Sequence, residues 1–185
     1  MKLIALFLIV SFLQTAVNAQ NTVANSKSII YLVRHAEKEK GDDPGLTTAG
    51  KQRAGDLLRV LKNKKLQRIY VTQFRRTQMT GDSLRIQLAI DTVQYTADTT
   101  GADLLEKIKI HHDSGKTILI IGHTNTLPII VKKLGVQQPL KDIPDNEFDN
   151  LFMVKYRKGK AQLIKSKYGA RRAKAASTAT MQPLQ

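Results

Sequence analysis

Ile29-Ile30-Tyr31-Leu32-Val33 is an apolar run that stops abruptly at Arg34-His35. No helical spacing runs through it, so it reads as a strand buried on both faces. Such a strand needs helices over each side of its sheet, which directs the chain to an α/β architecture. Polar residues at its carboxyl end would fall in the crevice where open α/β sheets bind ligands. Arg34 offers a fork of donors suited to phosphate oxygens. His35 offers an imidazole that can attack phosphorus. Taken alone, the segment is equally a strand closed by two solvated residues.

The rest of the middle of the chain alternates in the same sense. Ser28 to Val33, Arg68 to Val71, an edge segment Ile90 to Tyr95, and Thr117 to Ile121 read as strands. Thr47 to Leu61, Arg76 to Leu88, Ala102 to His112 and Asn125 to Leu134 carry helical spacing, with Thr47 or Thr48 as a cap and Pro128 in a first turn. Leu151 to Tyr156 and Ala161 to Lys165 form a closing hairpin around Lys158-Gly159. The expected fold is a three-layer α/β sandwich, its mostly parallel central sheet covered by helices on both faces.

The ends of the chain read differently. Met1-Lys2, an apolar run from Leu3 to Leu13, and Val17-Asn18-Ala19 have the layout of a secretory signal peptide cleaved after Ala19. The run is short for a membrane span, so the mature protein is expected to have none; an uncleaved anchor is the weaker alternative. The expected organisation is a leader at 1–19, a short segment at 20–27, one folded domain at 28–168 and a basic tail at 169–185. Export to the periplasm or the medium follows from the leader. With no cysteine, structural disulfides, a lipid-anchored cysteine and thiolate metal sites are all excluded.

The net charge of +15 raises the question of nucleic acid. Its distribution argues against sequence reading. No acidic residue follows Asp149, while Lys165, Lys167, Arg171, Arg172 and Lys174 gather near the end. Ala170 to Gln185 is small, polar and basic, a composition that builds no core. Weak contact with anionic surfaces suits it better. Tryptophan is absent and the aromatics are scattered, which leaves no stacking platform for bases.

Three strand ends carry the chemistry. Arg34 and His35 close the first, Arg76 follows the second, and Gly122-His123 follows the strand Thr117 to Ile121. A parallel sheet brings those ends to one edge. Two guanidiniums and two imidazoles in one volume repel each other unless an anion sits among them, and a phosphate dianion fits. Each residue also has an ordinary alternative: His123 a bonded core histidine, Arg76 a solvated helix residue with Arg75 as its competitor. His111-His112 diverge on a helix and have no further ligand at metal spacing. Lys62-Asn63-Lys64-Lys65 is a solvated helix end.

Leu32-Val33-Arg34-His35-Ala36-Glu37, Gly45-Leu46-Thr47-Thr48-Ala49-Gly50, Arg76-Thr77-Gln78-Met79-Thr80 and Ile121-Gly122-His123-Thr124-Asn125-Thr126 stand in this order. Together they resemble the ordered motifs of the histidine phosphatase superfamily, the phosphoglycerate-mutase-like group named after an Arg-His-Gly motif. The resemblance runs from about Ser28 to Tyr168. It implies a phosphohistidine intermediate on His35, with Arg34, Arg76 and His123 binding the phosphoryl group. Thr124 and Asn125, beside His123 in the last motif, are expected to meet substrate. Ala36 replaces the usual glycine, which the turn tolerates if its φ is negative. Val71-Thr72-Gln73 replaces a small-Ser-Pro stretch. The glutamate that often donates the proton is missing from Tyr95 to Asp103. Asp98 is the first choice in its place and Asp103 the second.

The expected reaction is hydrolysis of a small phosphomonoester. His35 attacks phosphorus in line, the cationic groups hold the equatorial oxygens, and Asp98 protonates the leaving alkoxide and then activates water. No metal or other cofactor is called for, because the guanidinium and imidazole groups supply the positive field. Within the enzyme class the alternatives are a mutase, which needs lid segments this short chain lacks, and a phosphohistidine protein phosphatase. Outside it stand a phosphate-binding module without turnover and a basic surface-binding protein.

Overall fold

Strand β1 (Ile29–Arg34) runs through the middle of a six-stranded sheet. The structure is a computed structural model that describes residues 27–138 and 140–169. The expected leader and the segment up to residue 26, like the basic tail from Ala170 onward, lie outside the described residues. The other strands are β2 (Arg68–Thr72), β3 (Thr92–Tyr95), β4 (Thr117–Gly122), β5 (Asn150–Arg157) and β6 (Lys160–Lys167). The helices are α1 (Thr48–Leu61), α2 (Arg75–Leu88), α3 (Ala102–Ile110) and α4 (Leu127–Lys133).

The strand order is β3-β2-β4-β1-β5-β6. The first four are mutually parallel, and β5 and β6 add antiparallel at one edge. The chain goes from β1 across to β2 and later returns to fill the gap with β4. That reversal opens a crevice at the carboxyl ends of β1 and β4, which are paired in register as Arg34 with Gly122.

Alternate side chains of the sheet build two cores. Ile30, Leu32, Ile118 and Ile120 point to one face, under Leu104 and Ile108 of α3 and Leu127, Ile130 and Val131 of α4. Tyr31, Val33, Leu119 and Ile121 point to the other, under Leu57 and Leu61 of α1 and Leu84 of α2. The result is the expected three-layer α/β sandwich.

Local chemistry fixes the element ends. Thr47 caps α1, its hydroxyl accepting from the Gly50 N–H at 3.0 Å. Gly50 lies so close beneath the Glu37 carbonyl that any Cβ there would overlap it, which ties the start of α1 to the segment after β1. Lys158 and Gly159 both take positive φ, 51° and 73°, the conformation that joins two twisted strands in a two-residue hairpin.

Most element ends differ from the sequence expectation by one or two residues, and four of these shifts have a clear local cause or consequence. Helix α2 starts one residue earlier, at Arg75. Strand β3 starts at Thr92 rather than Ile90, because Ile90 N–H turns back to the Arg85 carbonyl at 3.1 Å after left-handed Ala89. Helix α3 stops at Ile110, and His112, with φ 51°, reverses the chain. Helix α4 starts at Leu127, because residues 123–126 form a turn in which Thr126 N–H reaches the His123 carbonyl at 3.2 Å. Among the described residues no helix is long and apolar enough to cross a membrane.

Candidate active site

Beyond Arg34 the chain leaves the sheet, yet His35 N–H still donates to the Gly122 carbonyl at 3.0 Å. The two strand ends therefore deliver His35 and His123 side by side, with ring centroids 5.4 Å apart and planes inclined at 59°. His35 Nδ1 lies 2.7 Å from the Ala36 carbonyl. A carbonyl can only accept, so Nδ1 carries the proton and Nε2 keeps its lone pair. Ala36 is buried and is not among the positive-φ residues, so the turn accommodates its methyl group. Its N–H donates to Thr80 Oγ1 on α2 at 2.9 Å, and Thr80 Oγ1 donates to the Arg76 carbonyl at 2.7 Å. One threonine thus couples the His35 turn to the helix that carries Arg76.

A relay of hydroxyls orients His123. Thr77 Oγ1 donates to the Phe74 carbonyl at 2.8 Å, so it accepts from Thr72 Oγ1 at 2.9 Å. Thr72 Oγ1 in turn accepts from His123 Nε2 at 3.1 Å. The remaining ring nitrogen, Nδ1, faces Arg76 Nη2 at 3.5 Å. Thr126 Oγ1 accepts from the His123 backbone N–H at 3.1 Å.

Each of the two arginines lies over a phenyl ring. The Arg34 guanidinium sits 4.1 Å from the Phe148 centroid, and that of Arg76 sits 4.2 Å from the Phe74 centroid. Those rings also flank the imidazoles: Phe148 is 6.1 Å from the His35 ring, and Phe74 meets His123 edge-on at 5.4 Å. Arg34 Nη1 gathers the carbonyls of Asp145 at 2.8 Å, Pro144 at 3.3 Å and Glu147 at 3.4 Å. Its Nη2 is 3.8 Å from the Asp145 carboxylate. Arg76 Nη1 is 3.8 Å from the Asp43 carboxylate. The Nε of each arginine is buried with no hydrogen-bond partner.

Burial pushes His35 down to about 3, helped by His123, Arg34 and Arg76 and opposed by the Ala36 carbonyl. Burial likewise pushes His123 down to about 4, with Arg76 and Arg34 adding to the effect. Burial also lowers both arginines. At neutral pH the site therefore holds two uncharged imidazoles between two guanidiniums. Two guanidiniums whose nearest carboxylates stand 3.8 Å away, flanking two uncharged imidazoles, describe a cradle for an anion.

The remaining sequence candidates fall elsewhere. Asp98 closes the turn into α3: its Oδ1 accepts from the N–H groups of Thr100 and Gly101, both at 2.6 Å. The Thr100 hydroxyl, with those N–H groups, holds the Asp98 carboxyl below the usual carboxylate range. Asp98 touches neither histidine and neither arginine of the cradle. Asp103 accepts from Thr96 N–H at 2.7 Å and lies 3.9 Å from Lys107. Thr124 is half-buried and Asn125 exposed in the turn after His123. Arg75 is exposed and contributes its backbone N–H to Asp43 at 3.0 Å, whereas Arg76 turns inward. His111 is half-buried and His112 exposed at the end of α3. Among the described residues no three or more His, Asp or Glu side chains gather as a metal site.

Sequence reading passed over Phe74, Phe148, Asp43 and the four threonines, 72, 77, 80 and 126. The threonines lie inside or beside the quoted motifs, where hydroxyls next to a strand end were the available signal. Phe148 is 113 positions from His35 and belongs to no motif. A groove of about 610 Å³ lies away from this chemistry, lined by Arg68, Asp91, Thr92 and His111 at the strands' amino ends.

Residues 30–100 match the model of the histidine phosphatase superfamily (branch 1). No curated protein matches the sequence. Among solved structures, the candidate phosphohistidine phosphatase SixA from Agrobacterium tumefaciens superposes with a TM-score of 0.55 at 17% identity, covering 78% of this chain and 99% of that one. The alpha-ribazole phosphatase from Shigella flexneri gives 0.57 at 12% identity, covering 74% and 94%. Phosphoserine phosphatase from Entamoeba histolytica, in complex with 3-phosphoglyceric acid, gives 0.51 at 14%, covering 78% and 98%. At these identities the likeness is one of fold.

Proposed function

We propose, from the match of residues 30–100 to the histidine phosphatase superfamily, that the chain is a member of that superfamily and hydrolyses phosphomonoesters through a phosphohistidine on His35. The observation that carries this reading is the convergence of the Arg34 and Arg76 guanidiniums on two adjacent imidazoles, one of which, His35, has its Nε2 free to attack. A phosphoryl group in the cradle supplies the negative charge that the two guanidiniums lack. His35 Nε2 attacks phosphorus in line, and Arg34 and Arg76 hold the equatorial oxygens, where charge spreads in the transition state; His123 joins them when the bound anion draws a proton onto its Nδ1. Water then hydrolyses the phosphohistidine. Structural neighbours named as phosphatases accord with this class of reaction.

A panel of phosphomonoesters tests the proposal, with His35→Ala as the control. Hydrolysis by the wild type and none by the variant is the expected result; equal turnover by both would remove His35 from the chemistry. N-phosphohistidine peptides belong in the panel, because the SixA-type neighbours are named for that activity. We further propose, from the layout of residues 1–19, that the protein is exported. Mass spectrometry of protein recovered from an exporting host tests it: a mature amino terminus at Gln20 is expected, and an intact Met1 would count against it.

A further inference from the structure

A phosphomonoester with an alkyl leaving group needs a proton on its departing oxygen. The two carboxylates in the segment directly after β3 do not reach the cradle: Asp98 and Asp103 are taken up by the turn they close. Glu37 is locked in a two-pronged ion pair with Arg53, at 2.7–3.0 Å. Among the described residues, two carboxylates stand within 4 Å of the cradle arginines: Asp145 beside Arg34 and Asp43 beside Arg76, each at 3.8 Å. The Asp145 side chain is 95% exposed, so solvent, not the protein, sets its position. The Asp43 side chain is 38% exposed and is fixed at one oxygen. Its Oδ1 accepts the Arg75 backbone N–H at 3.0 Å and is the atom facing Arg76. Oδ2 has no partner among the described residues. Asp43 also takes φ 43°, a left-handed conformation that non-glycine residues adopt at a cost and that recurs at functional sites.

We propose that Asp43 is the proton donor to the leaving group, an assignment that rests on the phosphatase reading above. Arg76 holds an equatorial oxygen of the phosphoryl group, and Asp43, anchored by Oδ1 on the Arg75 N–H and 3.8 Å from the Arg76 guanidinium, presents Oδ2 at the rim where the leaving oxygen departs. In its carboxyl form, Asp43 gives its proton to that oxygen as the P–O bond breaks and the Nε2–P bond forms on His35. The alcohol leaves, and the protein holds a phosphohistidine and an Asp43 carboxylate. That carboxylate takes a proton from water as the water oxygen bonds to phosphorus and the N–P bond breaks. Phosphate, neutral His35 and the Asp43 carboxyl are the products.

The test compares the first turnover of p-nitrophenyl phosphate, whose leaving group needs no proton, with that of glycerol 3-phosphate, whose leaving group does. Asp43→Asn keeps an oxygen for the Arg75 N–H, so the loop retains its anchor. In rapid-quench measurements the variant should release glycerol about 100-fold more slowly than the wild type. Its first turnover of p-nitrophenyl phosphate should fall far less, and phospho-His35 should accumulate, because its hydrolysis has lost the base. An equal loss on both esters would make Asp43 a positioning residue for Arg76 and overturn the proposal. No loss on either would overturn it too, as would the selective loss appearing in Asp145→Asn or Asp98→Asn instead. All of those outcomes leave the phosphatase reading standing. A wild type inert on both esters would sink that reading and this one together.

Discussion

The ring of His35 is held by its own neighbour: Nδ1–H donates to the Ala36 carbonyl across 2.7 Å. That bond selects a tautomer and aims Nε2 outward, and it can persist when Nε2 becomes bonded to phosphorus. The same turn is fastened to α2 through Thr80. Ring orientation is therefore set by the backbone around residues 35–36.

Phosphorylation should accordingly fall on Nε2 and not on Nδ1. Protein quenched in alkali during turnover should carry one phosphate on the peptide containing His35, stable in alkali and lost in acid, as a phosphoramidate is. Phosphorus NMR of the denatured protein distinguishes the two ring isomers. The Nδ1 isomer would mean that the His35–Ala36 bond breaks before attack.

Arg76→Ala should lower kcat/KM for any phosphomonoester by about 100- to 1000-fold, the usual effect of removing one donor to transition-state charge. Arg75→Ala, one residue away and exposed, should change it by less than about threefold. Steady-state assays of the two variants decide whether α2 presents its second residue to phosphate.

Acid should destabilise the empty protein over a defined range. His35 and His123 are pushed down to about 3 and about 4 in the folded state, against about 6.5 when unfolded. As pH falls below about 6.5 the unfolded chain takes up protons that the folded one refuses, so stability falls between about 6.5 and 4. Thermal melts at constant ionic strength should follow that slope, and His123→Gln should make it shallower. An unchanged slope in the variant would mean that His123 titrates normally.

Glu37 and Arg53 form an ion pair with both side chains about nine-tenths buried. It links the segment after His35 to α1. Glu37→Ala strands a buried guanidinium and should cost about 3–5 kcal/mol, read as a shift of the urea midpoint at constant slope. Replacing both residues together, as Glu37→Met with Arg53→Leu, should recover most of the loss. If the double variant is no more stable than the single one, the pair does more than neutralise itself.

Much of the fold was legible because it depends on residues near one another in the chain. The run Ile29–Val33 is buried on both faces, Thr47 caps α1 through Gly50, and Lys158-Gly159 turns a hairpin. Helix ends were less legible. Left-handed Ala89 and His112 stop their helices through backbone conformations that spacing does not encode.

The sequence by itself determined which strands end in Arg34-His35 and Gly122-His123, and a parallel sheet brought those ends together. It also determined Arg76, since a helix starting just past a strand end presents its first turn to the same edge. Tertiary structure alone decided the rest. Arg34 gathers carbonyls 110 and more positions away, and Phe148 arrives over it from the approach to β5. Asp98 lies where the missing glutamate was expected, but the turn into α3 offers its carboxylate N–H donors at 2.6 Å. Asp43 instead reaches Arg76 from the segment before α1. A pattern of apolar and polar residues states which side chains leave the core. Which of those polar atoms then meet is set by how separate segments close over the sheet, and no local pattern carries that distance.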